Sequence, residues 1–200
     1  LADKAVGHLR EGVDVQHEVR IYDRSRANHA PPFLGEDIPP MPSFGEGKKL
    51  LVTGSTHDQW GLRRTVSPEA QEKLVRHLSE KIIKHQEEIT EVHKYHCLEE
   101  GLEVLLIAYG FTARSALAAV EAAREKGIKA GLLRLKTIWP FPKEEGKRIG
   151  QRAGRGLVPE MNRGQIAREV QRILPQAESY SRTDGQVITP QELLSVIERG

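Results

Sequence analysis

The segment between residues 102 and 165 constrains the fold of this chain more than any other. An almost continuously apolar run from Leu102 to Ala108 is followed by Gly110, by an amphipathic run that ends at Gly127, and by a second apolar run from Ile128 to Leu135. Unbroken apolar runs of this length are typical of strands buried on both faces. Two such strands joined by a helix form a right-handed crossover and lie parallel. The segment therefore predicts an α/β domain with a mostly parallel sheet.

The rest of the chain continues the same alternation. The first helix has one apolar face, made of Ala113, Ala116, Leu117, Val120 and Ala123, and Thr112 is placed to cap it. Further elements are predicted as a helix over residues 143–152, a strand over 155–160, a helix over 166–173, a strand over 179–181 and a final helix that begins after Thr189.

The functional residues of an open parallel sheet normally lie at the carboxyl ends of its strands. The residues that fall there in this chain are Gly110, Thr112, Trp139, Glu160, Met161, Asn162, Gly164 and Gln165. This set has no nucleophile with a base and no acid–base pair of recognisable spacing. The glycine-rich phosphate loops GxGxxG and GxxxxGK[ST] are also missing, and the bulky Phe111 disfavours a phosphate at the first junction. We therefore predict an interface at this edge, with no catalytic, cofactor-binding or metal-binding residue.

The first half of the chain has a different character. Residues 1–46 are interpreted as the tail of a preceding domain and a proline-rich linker, which either lies along a partner surface or is a plain flexible connection. Residues 47–97 are interpreted as a connector with a short strand over residues 49–53 and a long helix from Ser67 to about His93. Residues 98–200 form the predicted α/β domain. The chain begins in mid-pattern, and we expect it to be the C-terminal part of a longer polypeptide.

Two features of the connector invite a chemical interpretation. His57 and Asp58 are adjacent, but neighbouring residues in an extended turn point apart, so a structural turn is the better interpretation than a catalytic pair. Four histidines and the single cysteine lie on or just after the predicted helix, at His77, His85, His93, His96 and Cys97. Their spacing does not place three ligands on one helix face, and solvated histidines are favoured over a metal site.

Composition excludes several classes of protein. The formal net charge is only +2, from 30 basic and 28 acidic residues, so no strong field points to nucleic acid or to an anionic membrane. No apolar run is long enough to predict a membrane span, and no signal peptide is recognised. One cysteine excludes a disulfide framework and a four-cysteine cluster within these residues, and a lone thiol is typical of the reducing cytoplasm.

Two longer motifs resemble a known family. "AYGFTARSALAAVEAAREKGIKAGLLRLKTIWPFP" and "VPEMNRGQIAREV" resemble the alpha subunit of 2-oxoacid:ferredoxin oxidoreductases, the family that includes the 2-oxoglutarate and pyruvate enzymes. "LADKAVGHLRE" and "VTGSTHDQWG" resemble the end of the pyrimidine-binding domain of that subunit and its connector. The resemblance covers nearly all of the chain. It implies a three-layer α/β/α sandwich similar to the C-terminal domain of transketolase.

The resemblance also implies a function. The whole enzyme of that family converts a 2-oxoacid and coenzyme A to an acyl-CoA and carbon dioxide, with thiamine diphosphate and Mg²⁺ for the carbon chemistry and iron–sulfur clusters that pass electrons to ferredoxin. The cofactors would be held by the preceding pyrimidine-binding domain and by the beta subunit. This chain would serve assembly and be inactive alone, and its sequence does not specify which 2-oxoacid is used.

The residues alone leave two other identities of the chain open. One is a stand-alone ligand-binding or regulatory module with the same fold. The other is the C-terminal region of a transketolase or of a 2-oxoacid dehydrogenase beta subunit, which the motif "PEMNRGQ" disfavours.

Overall fold

The computed structural model of the chain describes residues 31–35, 39, 45, 47 and 51–199. These residues fall into two compact units, one that ends at Glu88 and one that starts at Ile89. The predicted tail and most of the predicted proline-rich linker lie outside the described residues. Within the described part of the chain, no helix is both long enough and apolar enough to cross a membrane.

The first unit contains helix α1, Pro68–Lys84, and the start of the short helix α2, Gln86–Ile89. The Oγ of Ser67 accepts a hydrogen bond from the backbone N–H of Ala70 at 3.2 Å and so caps α1. Pro68 occupies the first helical position, where its missing N–H costs nothing. The start of this helix is therefore where the sequence predicts it.

The end of the helix is not where the sequence predicts it. The pattern predicts one helix to about His93, but α1 ends at Lys84 and residues Val92–Tyr95 form a strand, β1. The reason is long-range pairing: β1 is antiparallel to a later strand, and the carbonyl of Glu91 accepts hydrogen bonds from the backbone N–H groups of Lys136 and Thr137. The predicted strand over residues 49–53 is also wrong, because residues 51–53 are not in a strand and the other two lie outside the described residues.

The second unit is built on a five-stranded sheet. Its other strands are β2, Leu102–Tyr109, β3, Ala130–Leu135, β4, Ala153–Glu160, and β5, Glu178–Ser181. The strands are ordered β1-β3-β2-β4-β5, and only β1 is antiparallel to its neighbour. The sheet therefore takes an edge strand from the stretch that the sequence assigns to the connector.

Helices cover both faces of this sheet. They are α3, Thr112–Glu125, α4, Lys143–Gly150, α5, Gln165–Gln171, and α6, Pro190–Glu198. On one face, α3 and α6 pack Val120 and Leu193 into a cluster with Leu106 of β2. On the other face, α4 and α5 pack Ile149 and Val170 into a second cluster. The prediction of a three-layer α/β/α sandwich with a mostly parallel sheet is confirmed.

Gly150 of α4 lies directly against the side chain of Leu174. A Cβ atom at this position would lie within 2.9 Å of three side-chain carbons of Leu174, which is itself buried. We expect Gly150→Ala to lower the free energy of unfolding by about 2 kcal/mol, because a packed core cannot absorb the extra methyl group. Chemical denaturation measures this effect. Gly54→Ala is the control, since a Cβ atom built there meets no atom within 4 Å beyond its chain neighbours. A cost equal to that of the control would contradict the prediction.

Glu145 of α4 ties this helix to β1. Its carboxylate accepts hydrogen bonds from Arg148 at 2.8 and 2.9 Å and forms an ion pair with Lys94. The hydrogen bonds from Arg148 have the largest effect and lower the pKa of Glu145. Burial acts in the opposite direction, and Lys94 lowers the pKa again, so that it falls from 4.5 to about 2.

A carboxylate whose pKa is lowered by folding stabilises the folded state when it is ionised. The contribution of Glu145 is therefore complete above about pH 4.5 and is lost as the pH falls towards about 2. We expect Glu145→Gln to lower the free energy of unfolding by about 1–2 kcal/mol at neutral pH. This difference from the unmodified chain should vanish near pH 2. Denaturation curves across this pH range measure it, and a difference independent of pH would contradict the assignment.

Candidate functional site

The carboxyl ends of β2, β3 and β4 lie side by side at one edge of the sheet. The segments that leave these strands start at Gly110, at Lys136 and at Met161. All eight residues predicted for an interface fall in or next to these segments, so the topology brings them to one edge, which we call the carboxyl edge. Their side chains differ strongly in exposure.

Glu160 is the chemical centre of the carboxyl edge, and it is almost completely buried, with 1% of its surface exposed. One carboxylate oxygen, Oε1, accepts the backbone N–H of Ile166 at 2.9 Å. The other, Oε2, accepts the backbone N–H of Ala167 at 2.8 Å. Both amides belong to the first turn of α5, where N–H groups have no partner within the helix. Glu160 thus stabilises the start of α5 as an internal anion.

Two side chains complete the surroundings of Glu160. The hydroxyl of Tyr109 donates to Oε1 at 3.3 Å, and the side-chain amide of Asn162 donates to the same oxygen at 3.1 Å and to the Tyr109 hydroxyl at 2.9 Å. Burial, and then the charge of Glu160, raises the pKa of Tyr109. The phenol therefore keeps its proton and acts as a hydrogen-bond donor to the carboxylate.

The loop between β4 and α5 is fixed by the same network. The side-chain oxygen of Asn162 accepts the backbone N–H of Gln165 at 3.0 Å. Gly164 has φ 77°, in the left-handed region, and a Cβ atom there would also lie 3.3 Å from the Oγ of Ser179. A residue with a side chain at position 164 would therefore be strained in its backbone and crowded against Ser179, and glycine avoids both problems. Gln165 is exposed, whereas Met161 and Asn162 are half-buried.

Trp139 is exposed to solvent, whereas Glu160 is buried. Its side chain is 62% exposed, and that of Ile138 is 44% exposed. The next three residues, Pro140, Phe141 and Pro142, are buried, and the peptide bond between Trp139 and Pro140 is cis. An exposed aromatic side chain on an anchored segment is a typical feature of protein interfaces.

The junction between β2 and α3 differs from the prediction in one respect. Thr112 does not cap α3: Phe111 occupies the N-cap position without a side-chain hydrogen bond, and Thr112 is the first helical residue, with 7% exposure. The guanidinium of Arg114 lies over the Phe111 ring, 5.8 Å from its centre. Gly110 is exposed and has φ 55°, with no atom within 4 Å of a Cβ built on it. The space beside Gly110 is therefore open.

The described residues were compared with the metal ions and phosphate groups that the resemblance implies for the whole enzyme. Among them, no group of three or more His, Cys, Asp or Glu side chains could hold a metal ion. The thiol of Cys97 is buried and donates to the backbone carbonyls of Leu132 and Tyr95 at 2.9 and 3.3 Å. The two amides at the start of α5 that could receive a phosphate are already occupied by Glu160.

His57 and Asp58 form the turn that the sequence predicts. The carboxylate of Asp58 accepts the backbone N–H groups of Trp60 and Leu62 at 2.9 and 3.1 Å and the Nε of Arg64 at 3.1 Å. The Nδ1 of His57 lies 2.8 Å from the backbone oxygen of Asp58 and not at its carboxylate. The imidazole is not oriented by that acid, and the structural interpretation is confirmed.

Sequence reasoning missed Tyr109 as a member of the carboxyl edge. It closes an apolar strand, where an aromatic residue is normally assigned to the core. Its position directly before Gly110, at the end of a predicted parallel strand, was the available signal.

Comparison with known proteins gives a consistent result. Residues 102–193 match the family described as pyruvate:ferredoxin oxidoreductase core domain II. The 2-oxoglutarate synthase subunit KorA of Methanothermobacter thermautotrophicus is 37% identical over 98% of this chain and 54% of its own length. The KorA subunit of Methanocaldococcus jannaschii is 39% identical over 96% of this chain and 53% of its own length. The chain thus spans about half the length of these relatives.

A solved structure shares the fold. The 2-oxoglutarate:ferredoxin oxidoreductase from Magnetococcus marinus superposes with a TM-score of 0.70 over 87% of this chain and 31% of the matched chain, at 21% identity. The domain match, the relatives that align along almost the whole chain and this common fold agree with one another. The chain belongs to the family of 2-oxoacid:ferredoxin oxidoreductase subunits.

Proposed function

We propose that the chain is part of the alpha subunit of a 2-oxoglutarate:ferredoxin oxidoreductase. The observation that supports this proposal most is the fraction of the chain that each alignment covers. Four 2-oxoglutarate synthase subunits are 31–39% identical over 96–99% of the chain. Subunits of ketoisovalerate oxidoreductase and pyruvate synthase align over only 54–62% of it. The 2-oxoglutarate synthase subunits therefore align over more of the chain than the subunits specific for other 2-oxoacids.

The proposed complex converts 2-oxoglutarate and coenzyme A to succinyl-CoA and carbon dioxide and passes two electrons to ferredoxin. In support, the Magnetococcus marinus enzyme has 2-oxoglutarate, coenzyme A and succinyl-CoA bound in its solved structure. Thiamine diphosphate, Mg²⁺ and the iron–sulfur cluster are assigned to the pyrimidine-binding domain and the beta subunit. We place the complex in the cytoplasm, where a free thiol such as Cys97 stays reduced.

The contribution of this chain is assembly. We propose that the carboxyl edge binds the beta subunit through its exposed members Gly110, Trp139 and Gln165. The remaining predicted interface residues hold this surface in shape, because they are buried or half-buried: Thr112, Glu160, Met161, Asn162 and Gly164. Glu160 in particular uses both carboxylate oxygens within the chain and has none left for a partner. Its role is to position the loop that ends in Gln165.

Co-expression of the whole alpha subunit that contains this chain with the product of the neighbouring gene tests this proposal. The purified complex is assayed for ferredoxin reduction with coenzyme A and one of three substrates: 2-oxoglutarate, pyruvate or 2-oxoisovalerate. We expect 2-oxoglutarate to give the highest kcat/KM, and the isolated 200-residue chain to give no turnover with any substrate. A complex that prefers another 2-oxoacid would contradict the substrate assignment. Turnover by the isolated chain would contradict the assignment to assembly.

A further inference from the structure

The carboxyl edge carries basic side chains that form no ion pair within the described part of the chain. We call these four residues the edge cations: Arg114, Arg134, Lys143 and Arg163. Three of them are exposed, whereas Arg134 is half-buried and its side chain makes no hydrogen bond to a described residue. Other arginines of the same unit, Arg124, Arg148 and Arg155, are each paired with a glutamate at 2.7 to 2.8 Å. The positive charge of the edge cations is therefore left uncompensated.

The topology of the sheet brings the edge cations to one surface. Arg134 is next to last in β3, and Arg114 lies in the first turn of α3. Lys143 is the first residue of α4, and Arg163 lies in the loop between β4 and α5. These positions belong to the carboxyl ends of β2, β3 and β4, which are neighbours in the sheet. The edge cations therefore share this edge with the exposed side chain of Trp139.

Two helix N-termini add to the positive potential of the carboxyl edge. Helices α3 and α4 both begin there, and neither has a side chain that caps its first turn. The free backbone N–H groups of a first turn carry a partial positive charge. At the start of α5 the corresponding groups are already bound by the buried Glu160. The uncapped helix starts and the edge cations thus act in the same direction.

Exposed acidic side chains at the carboxyl edge do not balance this charge. Glu91 forms an ion pair with Lys136, and Asp184 lies 3.5 Å from the guanidinium of Arg182. Glu144, in the first turn of α4, is exposed and has no ion pair within the described residues. It is a single carboxylate against the four edge cations. The carboxyl edge is therefore electrostatically suited to a negatively charged partner.

The distribution of the edge cations indicates the size of that partner. They follow three adjacent strands, which span about 10 Å at the usual strand spacing. The same edge exposes two large apolar side chains, Ile138 and Trp139. An apolar centre with a charged rim is the usual composition of a protein interface. This width and composition suit an acidic protein surface better than a single phosphate group.

We propose that the carboxyl edge recognises an acidic surface of the beta subunit. This inference rests on the proposed role in assembly and adds the chemistry of the partner. Opposite charges across an interface mainly accelerate association, whereas the loss of a central apolar contact mainly accelerates dissociation. The edge cations therefore steer the two subunits together, and Trp139 keeps them together.

The rates of assembly test this inference. Biolayer interferometry measures kon and koff for the whole alpha subunit that contains this chain and the purified beta subunit. We expect kon to fall about tenfold or more when NaCl is raised from about 50 to about 500 mM, because salt screens the attraction. At the lower salt concentration, Arg114→Glu combined with Arg163→Glu should lower kon about tenfold or more and remove most of its salt dependence. The koff of this variant should stay within about threefold.

The second unit offers a matched control. Lys147→Glu combined with Arg199→Glu makes the same change in net charge at two exposed residues that have no ion pair within the described part of the chain. Lys147 lies in the last turn of α4, and Arg199 is the C-cap of α6, so both lie at helix ends remote from the carboxyl edge. The kon of this control should stay within about threefold of that of the unmodified subunit. Thermal unfolding followed by circular dichroism checks that both double variants are folded.

Each other outcome contradicts the inference in a different way. Equal kon values for the two double variants, or a kon that does not depend on salt, would overturn the acidic partner and leave the proposed assembly intact. A failure of the unmodified subunits to bind each other would overturn both. Isothermal titration calorimetry with pyrophosphate covers the remaining occupant. Submillimolar binding that Arg114→Glu combined with Arg163→Glu abolishes would assign the carboxyl edge to a small anion and overturn the inference.

Discussion

Replacing Glu160 by glutamine should lower the free energy of unfolding by about 3 kcal/mol. The carboxylate accepts two backbone N–H groups of α5 as well as the side chains of Tyr109 and Asn162. A glutamine has one oxygen and one NH₂ group, so a donor would face the N–H of either Ile166 or Ala167. At a site with 1% exposure, water cannot replace the lost acceptor. The lost stability therefore has two parts. One backbone N–H of α5 is left buried without an acceptor, and the hydrogen bond that it made to a charged carboxylate is lost.

Urea denaturation followed by circular dichroism measures this loss. Glu125→Gln makes the same chemical change at an exposed position of α3 and should stay within about 0.5 kcal/mol of the unmodified chain. Tyr109→Phe removes one donor and leaves the carboxylate with three others, so its cost should be about 1 kcal/mol. A cost for Glu160→Gln no larger than that of Glu125→Gln would show that the carboxylate is not needed at the start of α5.

Much of the sheet could be predicted because its strands are buried on both faces. β2 and β3 appear in the sequence as mostly apolar runs, each with one charged residue, and the helix between them shows a clear apolar face. β1 could not be predicted in the same way. It has four residues, is exposed at its centre and is stabilised by pairing with β3, which comes much later in the chain. The periodicity of α1 continues towards it, and local pattern alone does not show where the chain changes to a strand.

The carboxyl edge could be located from the sequence, but the roles of its residues could not. Parallel topology is enough to bring Trp139 and Glu160 to one edge. A glutamate after an apolar strand is normally assumed to face solvent, and nothing local shows that the two N–H groups of α5 turn back onto Glu160. The same limit applies to Thr112: the residue type suits a cap, but the helix starts one residue earlier than that role requires. In both cases the tertiary arrangement decides which backbone donors need a partner.

Trp139 is the residue whose replacement should most weaken assembly with the proposed beta subunit. The indole is 62% exposed, and the buried Pro140, Phe141 and Pro142 hold its backbone in place. An anchored tryptophan offers a large contact area and loses little conformational freedom on binding, as is typical of the few residues that dominate an interface. We expect Trp139→Ala to weaken binding by about 30-fold or more, which corresponds to about 2 kcal/mol or more.

Biolayer interferometry with the purified partner subunit measures this effect, and the chain offers a matched control. Trp60 is also exposed, at 47%, but lies in the first unit and outside the carboxyl edge. Trp60→Ala removes the same side chain and should leave the affinity within about threefold. Because the Trp139 side chain is mostly exposed, Trp139→Ala should change the free energy of unfolding by no more than about 0.5 kcal/mol. Weaker binding without a loss of stability would therefore identify a contact residue, whereas equal affinities of the two variants would place the interface elsewhere on the chain.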